Sequence, residues 1–426
     1  MSYRLTAAFA ALLLAAPAWA DDGLRLNLAP SPAAPNPVAE PRLSLAEAVR
    51  LALENQPLLA EKSATTESAR HSAMAAGELP DPRLTLGLAN VPSNGLSLTE
   101  EAMTTASIGI EQSIPGGDKR RLNAERARLE TERSHAELED GRRAVARDAA
   151  LAWLGWFQPL QAKSLLHGLQ REAQKQLEWQ RIALGVGKSS LQQVLAVQGA
   201  LDLLHAREAE LDHQGAVAQA ELARWIGTVA YRMLPDELPQ STTQPEPAAL
   251  RERLAGHPRL AALDRSLAAA QADVALARES VKSDWSLGAS YGLRSAGRSD
   301  LISLQLARDL PLFPENRQNR LLAAKQAALE QARAQREDRL RSLSAELEKA
   351  YVEWHAAGER IAWFDSAVLP HAAQRVDAAL AGYQAAQADL AAVLEARRAE
   401  LEARLQRLAL RVAQEKVQVQ LQYYAQ

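Results

Sequence analysis

Trp285-Ser286-Leu287-Gly288-Ala289-Ser290-Tyr291-Gly292-Leu293-Arg294 places apolar side chains at odd positions and small or polar ones at most even positions. Three other stretches alternate in the same way. Leu84, Leu86 and Leu88 alternate with Thr85, Gly87 and Ala89; Ile108, Ile110 and Ile114 alternate with Ser107, Gly109, Glu111 and Ser113; Ile302, Leu304, Leu306 and Leu310 alternate with Ser303, Gln305, Ala307 and Asp309. A period of two puts one apolar and one polar face on a strand. Strands are therefore expected at about 83–90, 106–114, 284–294 and 301–310. Gln112 and Arg308 interrupt the apolar faces, each near a strand end. Two environments satisfy this pattern: a sheet packed on a soluble core, or a membrane barrel with its apolar face to lipid. Trp285 and Tyr291 suit the interfaces of such a barrel. Four strands cannot close a barrel, and open edges cannot face lipid. The membrane reading thus requires several chains to share one barrel.

Working outward, the chain repeats itself with an offset near 200 residues. Gln56-Pro57-Leu58-Leu59-Ala60 resembles His257-Pro258-Arg259-Leu260-Ala261, and Leu191-Gln192-Gln193-Val194-Leu195 resembles Leu390-Ala391-Ala392-Val393-Leu394. The paired strands of the two halves end at Ile114-Pro115 and Leu310-Pro311. Each half reads helix, strand, strand, long helix, tight turn, helix, over 43–230 and 248–426, with a linker at 231–247. The first helix is expected from an N-cap at Ser44, with Glu47 at the capping-box position, to about Ala76. The long helix of the first half is expected from just after Gly117 to about Ala183, spanning roughly 100 Å. It breaks at Gly185-Val186-Gly187. The second long helix starts near Asn316 and turns between Gly382 and Asp389. Pro159 and Pro370 are expected to kink or divide these helices. The two shorter helices of each half match the long one end to end and are expected to lie beside it. A plain extended coiled coil is the simpler alternative for the helices, but it leaves the strands unexplained.

The first 20 residues carry Arg4, an apolar run from Leu5 to Ala16 and the small-x-small site Ala18-Trp19-Ala20, the pattern of a secretory signal peptide. Residues 21–42 are expected to be a Pro-rich linker. No later stretch has the roughly 18 consecutive apolar residues of a membrane-spanning helix. With no cysteine, disulfides, thiolate metal sites and cysteine nucleophiles are excluded. A net charge of −3 argues against a nucleic-acid binder, which would carry a strongly basic face. None of the eight histidines has another histidine four residues away, so no metal site is expected. Asp and Glu recur at helical spacing but alternate with Arg, as in solvated ion-pair ladders. Gly187-Lys188-Ser189 ends like a phosphate loop, but Ile182 stands where its first glycine belongs. No nucleophile constellation is present, so neither an enzyme nor a cofactor is expected.

The whole arrangement from about Leu43 resembles the TolC family of outer-membrane efflux ducts. The resemblance rests on the duplicated plan, Leu43-Ser44-Leu45-Ala46-Glu47-Ala48-Val49, Ile114-Pro115, Leu310-Pro311-Leu312-Phe313, and Gly187-Lys188-Ser189-Ser190-Leu191 with Val194-Leu195. It implies a mainly α fold with a membrane β-barrel. Three copies would form a 12-stranded barrel and a periplasmic helical tunnel. The partners it implies are outer-membrane lipid, a periplasmic adaptor and an inner-membrane resistance-nodulation-division pump. Asp81-Pro82-Arg83-Leu84 and the stretch from Met103-Thr104 through Ile108 to Arg120 look most similar to the heavy-metal branch, which exports cobalt, zinc, cadmium and copper. The lipid-anchored cysteine usual in the drug-efflux branch is absent. A gate is implied at Tyr383, with Ala388 at the family's gate-arginine position and Ala392 and Glu395 at its acidic pair. Asp389 and Glu395 are the candidate pore charges. The tips Gly185, Gly187, Lys188 and Ser189, and Gly382 and Gln384, are the implied adaptor-docking ends. The alternatives are a drug-efflux or type I secretion duct of the same family, or, in a different class, a periplasmic coiled-coil adaptor or scaffold.

Overall fold

A computed structural model describes residues 42–425, except 94, 96, 98, 240–245, 295, 296 and 386. The expected signal peptide at 1–20 and the linker up to residue 41 lie outside the described residues, as does the middle of the 231–247 linker.

The first half opens with α1 (Leu45–Asn55) and α2 (Pro57–Ala76). Ser44 caps α1, its Oγ accepting the Glu47 N–H at 3.2 Å. The Glu47 carboxylate reaches Arg232 at 2.9 Å, tying α1 to the segment after the first half. A single helix to Ala76 was expected, and the structure divides it at Gln56. The reason is steric: the residue before a proline is driven out of the helical region. Gln56 sits at φ −76°, ψ 118°, and Pro57 starts the next helix, where its missing N–H costs nothing. The second half repeats the break, with α5 (Pro247–Leu254), His257 extended, and α6 (Pro258–Glu279) opening on Pro258.

The helix α3 (Lys119–Gly185) runs unbroken for 67 residues, about 100 Å at 1.5 Å each. It passes through Pro159 as one helix, so of the expected kink or division the division does not occur. Burial on both sides of the proline opposes the loss of one backbone bond. Trp153 and Phe157 stack at 5.3 Å between centroids, and Trp153 Nε1 donates to Leu43 O at 3.0 Å. Both rings are buried with Leu154, Leu222 and Val412 in the largest core. The helices α1, α2 and α4 (Leu191–Ile226) all pack along α3.

In the second half α7 (Gln318–Trp363) is followed by a π turn, Phe364–Val368, and then α8 (Leu369–Gln384). Leu369 N–H bonds Phe364 O, five residues back. The widened turn lies directly before Pro370 and accommodates its ring and missing donor. Arg407 on the last helix, α9 (Leu390–Ala425), grips the Asp365 carboxylate of this turn.

The strands β1 (Arg83–Ala89), β2 (Thr105–Ile114), β3 (Trp285–Arg294) and β4 (Leu301–Arg308) form one antiparallel sheet in sequence order. The register aligns Leu84, Ile110, Ala289 and Leu304 across the four strands, and Leu86, Ile108, Tyr291 and Ile302 one level along. All alternating apolar side chains therefore share one face. The other face carries Thr85, Gly109, Ser290 and Ser303 at the same height. Among the described residues nothing covers the apolar face: Ile302 is 78% and Leu304 80% exposed. The two residues that interrupt it have local uses. Gln112 donates to Pro80 O at 2.8 Å, and the Arg308 guanidinium lies over the Trp285 ring at 4.9 Å.

Candidate functional site

The long hairpins end in two tips built by different local rules. At the first, Gly187 takes φ +72°, with Lys188 N–H bonded to Ala183 O at 2.8 Å and Gly187 N–H to Leu184 O at 3.1 Å. This paired pattern uses the last carbonyls of α3, and it needs the left-handed residue that glycine supplies cheaply. Gly185 is the last residue of α3 rather than part of the turn. Ser190 and Gln193 then form a reciprocal capping box that starts α4. At the second tip, Gly382, Tyr383 and Gln384 belong to the last turn of α8, so the turn is shorter than the expected Gly382–Asp389. Gly382 O accepts the N–H groups of Gln387 and Ala388 at 2.8 and 3.1 Å. The small residue matters there, because a Cβ on Gly382 would meet Ala388 Cβ at 3.2 Å.

The tips are joined by a polar chain that sequence reading missed. Gln180, only 4% exposed on α3, donates through Nε2 to the Tyr383 hydroxyl at 2.8 Å. Its Oε1 lies 2.6 Å from Ser189 Oγ, which in turn is 2.9 Å from Gln193 Oε1. The Tyr383 ring packs on the cluster of Leu177, Val197, Leu201, Leu390 and Val393. The implied gate tyrosine thus lies against the first hairpin and holds the two tips together. Its signal in the sequence is Gln180, a polar residue three positions from Leu177 on the buried face of α3. A second tie, Arg397 to Glu172, links α9 to α3 above it.

The candidate pore charges do not converge with Tyr383. Asp389 is exposed and its Oδ1 accepts the Ala392 N–H at 3.0 Å, which makes it the cap of α9. Glu395 is exposed further along α9, on the rim of a groove of about 950 Å³ between α3, α4 and α9. Lys188 and Gln384 are exposed at their tips, and Ser189 is half-buried.

One strongly perturbed carboxylate lies higher in the α3–α4 seam. Glu208 accepts from His167 Nε2 and Gln170 Nε2, both at 2.9 Å, with Lys163 Nζ at 3.3 Å. Those donors, His167 first, hold its carboxyl down to about 2. At the equator, burial pushes the pKa of His257 down. Its Nδ1 accepts the Arg259 N–H at 3.2 Å, so Nε2 carries the proton donated to Tyr423 O at 3.1 Å. Among the described residues no three metal-ligating side chains are gathered into a site, and no helix is long and apolar enough to cross a membrane.

This combination of one sheet with long helical hairpins is similar overall to solved channels. The outer-membrane channel OprN matches with a TM-score of 0.76 at 17% identity, covering 89% of each chain. CusC, whose structures describe folding and transmembrane channel formation, matches at 0.75 and 17% identity, covering 90% of this chain and 92% of its own. The open state of the Neisseria gonorrhoeae MtrE outer membrane channel matches at 0.75 and 16% identity, covering 90% and 88%.

The chain has the fold of these outer-membrane channels.

Residues 48–228 also match the sequence model of the outer membrane efflux protein family. No curated protein sequence matches the chain. This fold accounts for a sheet whose apolar face no described residue covers and for helices far longer than a globular domain needs.

Proposed function

We propose that three copies of this chain form a 12-stranded barrel in the outer membrane and a helical tunnel in the periplasm. The assembly is the passive exit duct of a tripartite efflux system and performs no covalent chemistry. The observation that carries this reading is the sheet: four strands, two open edges and one apolar face that no described element covers. From the level of Ile114 and Trp285 to that of Leu88 and Leu293 the apolar face covers about eight residues, roughly 27 Å along the strand. At a tilt near 40° this is about 21 Å in height, comparable to the roughly 25 Å apolar band of membrane barrels.

The hairpin tips, Gly185 to Ser189 and Gly382 to Gln384, are the ends that meet the periplasmic adaptor of a resistance-nodulation-division pump. Exposed Ile182, Val186, Leu191 and Leu195 on the first hairpin support a docking role. The Gln180–Tyr383 bond is the latch of the closed tips, and Asp389 and Glu395 set the charge near the mouth. Heavy-metal cations are the proposed cargo, on the resemblance of the segments around Arg83 and Ile114 to that branch. A deletion strain tests this directly. It should lose tolerance to one or more of copper, silver, zinc, cobalt and cadmium, and regain it with the gene restored. Unchanged tolerance to all five, with lost drug or protein export, would reject the metal cargo and leave the duct.

A further inference from the structure

The base of the sheet holds a junction between the two halves. The β2–α3 connection locks onto the α6–β3 connection. Gly116 N–H donates to Asp284 Oδ1 at 2.7 Å, and Lys119 Nζ reaches the same oxygen at 2.8 Å. Asp118 N–H donates to Glu279 Oε2 at 2.9 Å. Lys119 and Asp284 are the charge pair at the centre of this lock.

The internal repeat supplies the parts of a second junction that one chain cannot assemble. In the β4–α7 connection, Leu310-Pro311 corresponds to Ile114-Pro115, which puts Glu315 in the place of Lys119. In the α2–β1 connection, Leu84 corresponds to Trp285, which puts Arg83 in the place of Asp284. Each charge is reversed, so the pair stays complementary. These two connections flank the opposite open edges of the sheet. Arg83 and Glu315 are exposed, and among the described residues neither has an ion-pair partner in its own chain. Apolar surface accompanies them: Leu310, Leu312 and Phe313 are exposed before Glu315, and Leu79 before Arg83. A bond from Leu312 N–H to Leu310 O, 2.9 Å, folds the first of these segments tightly at Pro311.

Resting on the three-copy reading above, we propose that Glu315 of one copy pairs with Arg83 of the next, sealing the ring with a charge-reversed version of the internal lock. Leu310, Leu312 and Phe313 cover Leu79 of the next copy. Carrying over the β2–β3 register, in which Ile114 faces Trp285, sets Leu310 opposite Leu84 of the neighbour. Within one chain the ladder leads from Leu84 to Leu304, so each seam displaces it by six residues, Leu304 to Leu310. Three such steps around twelve strands correspond to a tilt of about 45°, from a 3.3 Å rise and a 4.8 Å strand spacing. That is at the upper end of the roughly 35–45° found in membrane barrels. The reversed polarity also distinguishes the two junctions. Exchanging their halves would set Lys119 against Arg83 and Glu315 against Asp284, like charges in both cases.

The absence of native cysteine makes the test clean. Arg83→Cys with Glu315→Cys, expressed in the full chain and oxidised in the outer membrane, should give covalent dimers and trimers on non-reducing gels. The single variants, and Arg83→Cys with Lys119→Cys, should not give trimers. In a cysteine-free background, Arg83→Glu should lower the yield of detergent-resistant trimer several-fold, and adding Glu315→Arg should restore it. A trimer by mass in which residues 83 and 315 do not cross-link would overturn the seam and leave the ring standing. A monomer by mass would overturn the ring itself.

Discussion

Replacing Tyr383 by Phe removes one hydroxyl from the tip latch and leaves the ring in its apolar cluster. Gln180 is almost wholly buried, and its Nε2 loses its partner at 2.8 Å while Oε1 keeps Ser189. Leaving a buried amide donor unsatisfied costs about 1–3 kcal/mol. If the bond exists only while the tips are together, that whole cost falls on the closed state. The open-to-closed ratio then rises by about 5- to 150-fold. Single-channel recording in planar bilayers measures this as open probability, with wild type and variant purified from the same membranes. The same variant should leave the conductance of the fully open channel unchanged, because the barrel is untouched. An open probability within twofold of wild type, together with a lowered unfolding midpoint, would show that the bond serves stability alone and would refute the latch.

Other substitutions test the framework that positions the tips. Trp153→Ala removes the stacked partner of Phe157 and the bond to Leu43 O, and should cost about 3–5 kcal/mol in urea unfolding of the detergent-solubilised protein. Gly187→Ala forces a side chain into the left-handed region at the first tip; a cost of about 1–2 kcal/mol is expected, seen as faster amide exchange confined to residues near 183–190. Glu208 provides a pH test. Its carboxyl is held at about 2, well below its ordinary 4.5, so its contribution is complete above pH 4.5 and is lost as pH falls towards 2. The wild type should lose stability through that window, and Glu208→Gln should flatten that part of the profile.

The parts of the fold that were legible in the sequence are those set by local periodicity. Alternation at Trp285 to Arg294 and its three counterparts shows in the structure as one sheet with a single apolar face. Gly187 marked a tip because a left-handed residue is a local requirement. Other features depended on competing local and distant terms. Gln56-Pro57 read as part of one helix, yet the backbone restriction before proline divides it. Pro159 read as a kink or a division, and with buried aromatic residues around it α3 is not divided there. The latch was not legible because Gln180 and Tyr383 are 203 residues apart, and nothing local pairs the one with the other. Asp389 read as a pore charge, and its carboxylate is engaged in capping α9.

The central claim is that one chain supplies a third of a membrane barrel. Native mass spectrometry of the protein extracted from outer membranes tests it most directly. The account predicts an assembly of three copies, and a monomer in which the four-stranded sheet stands alone would contradict it.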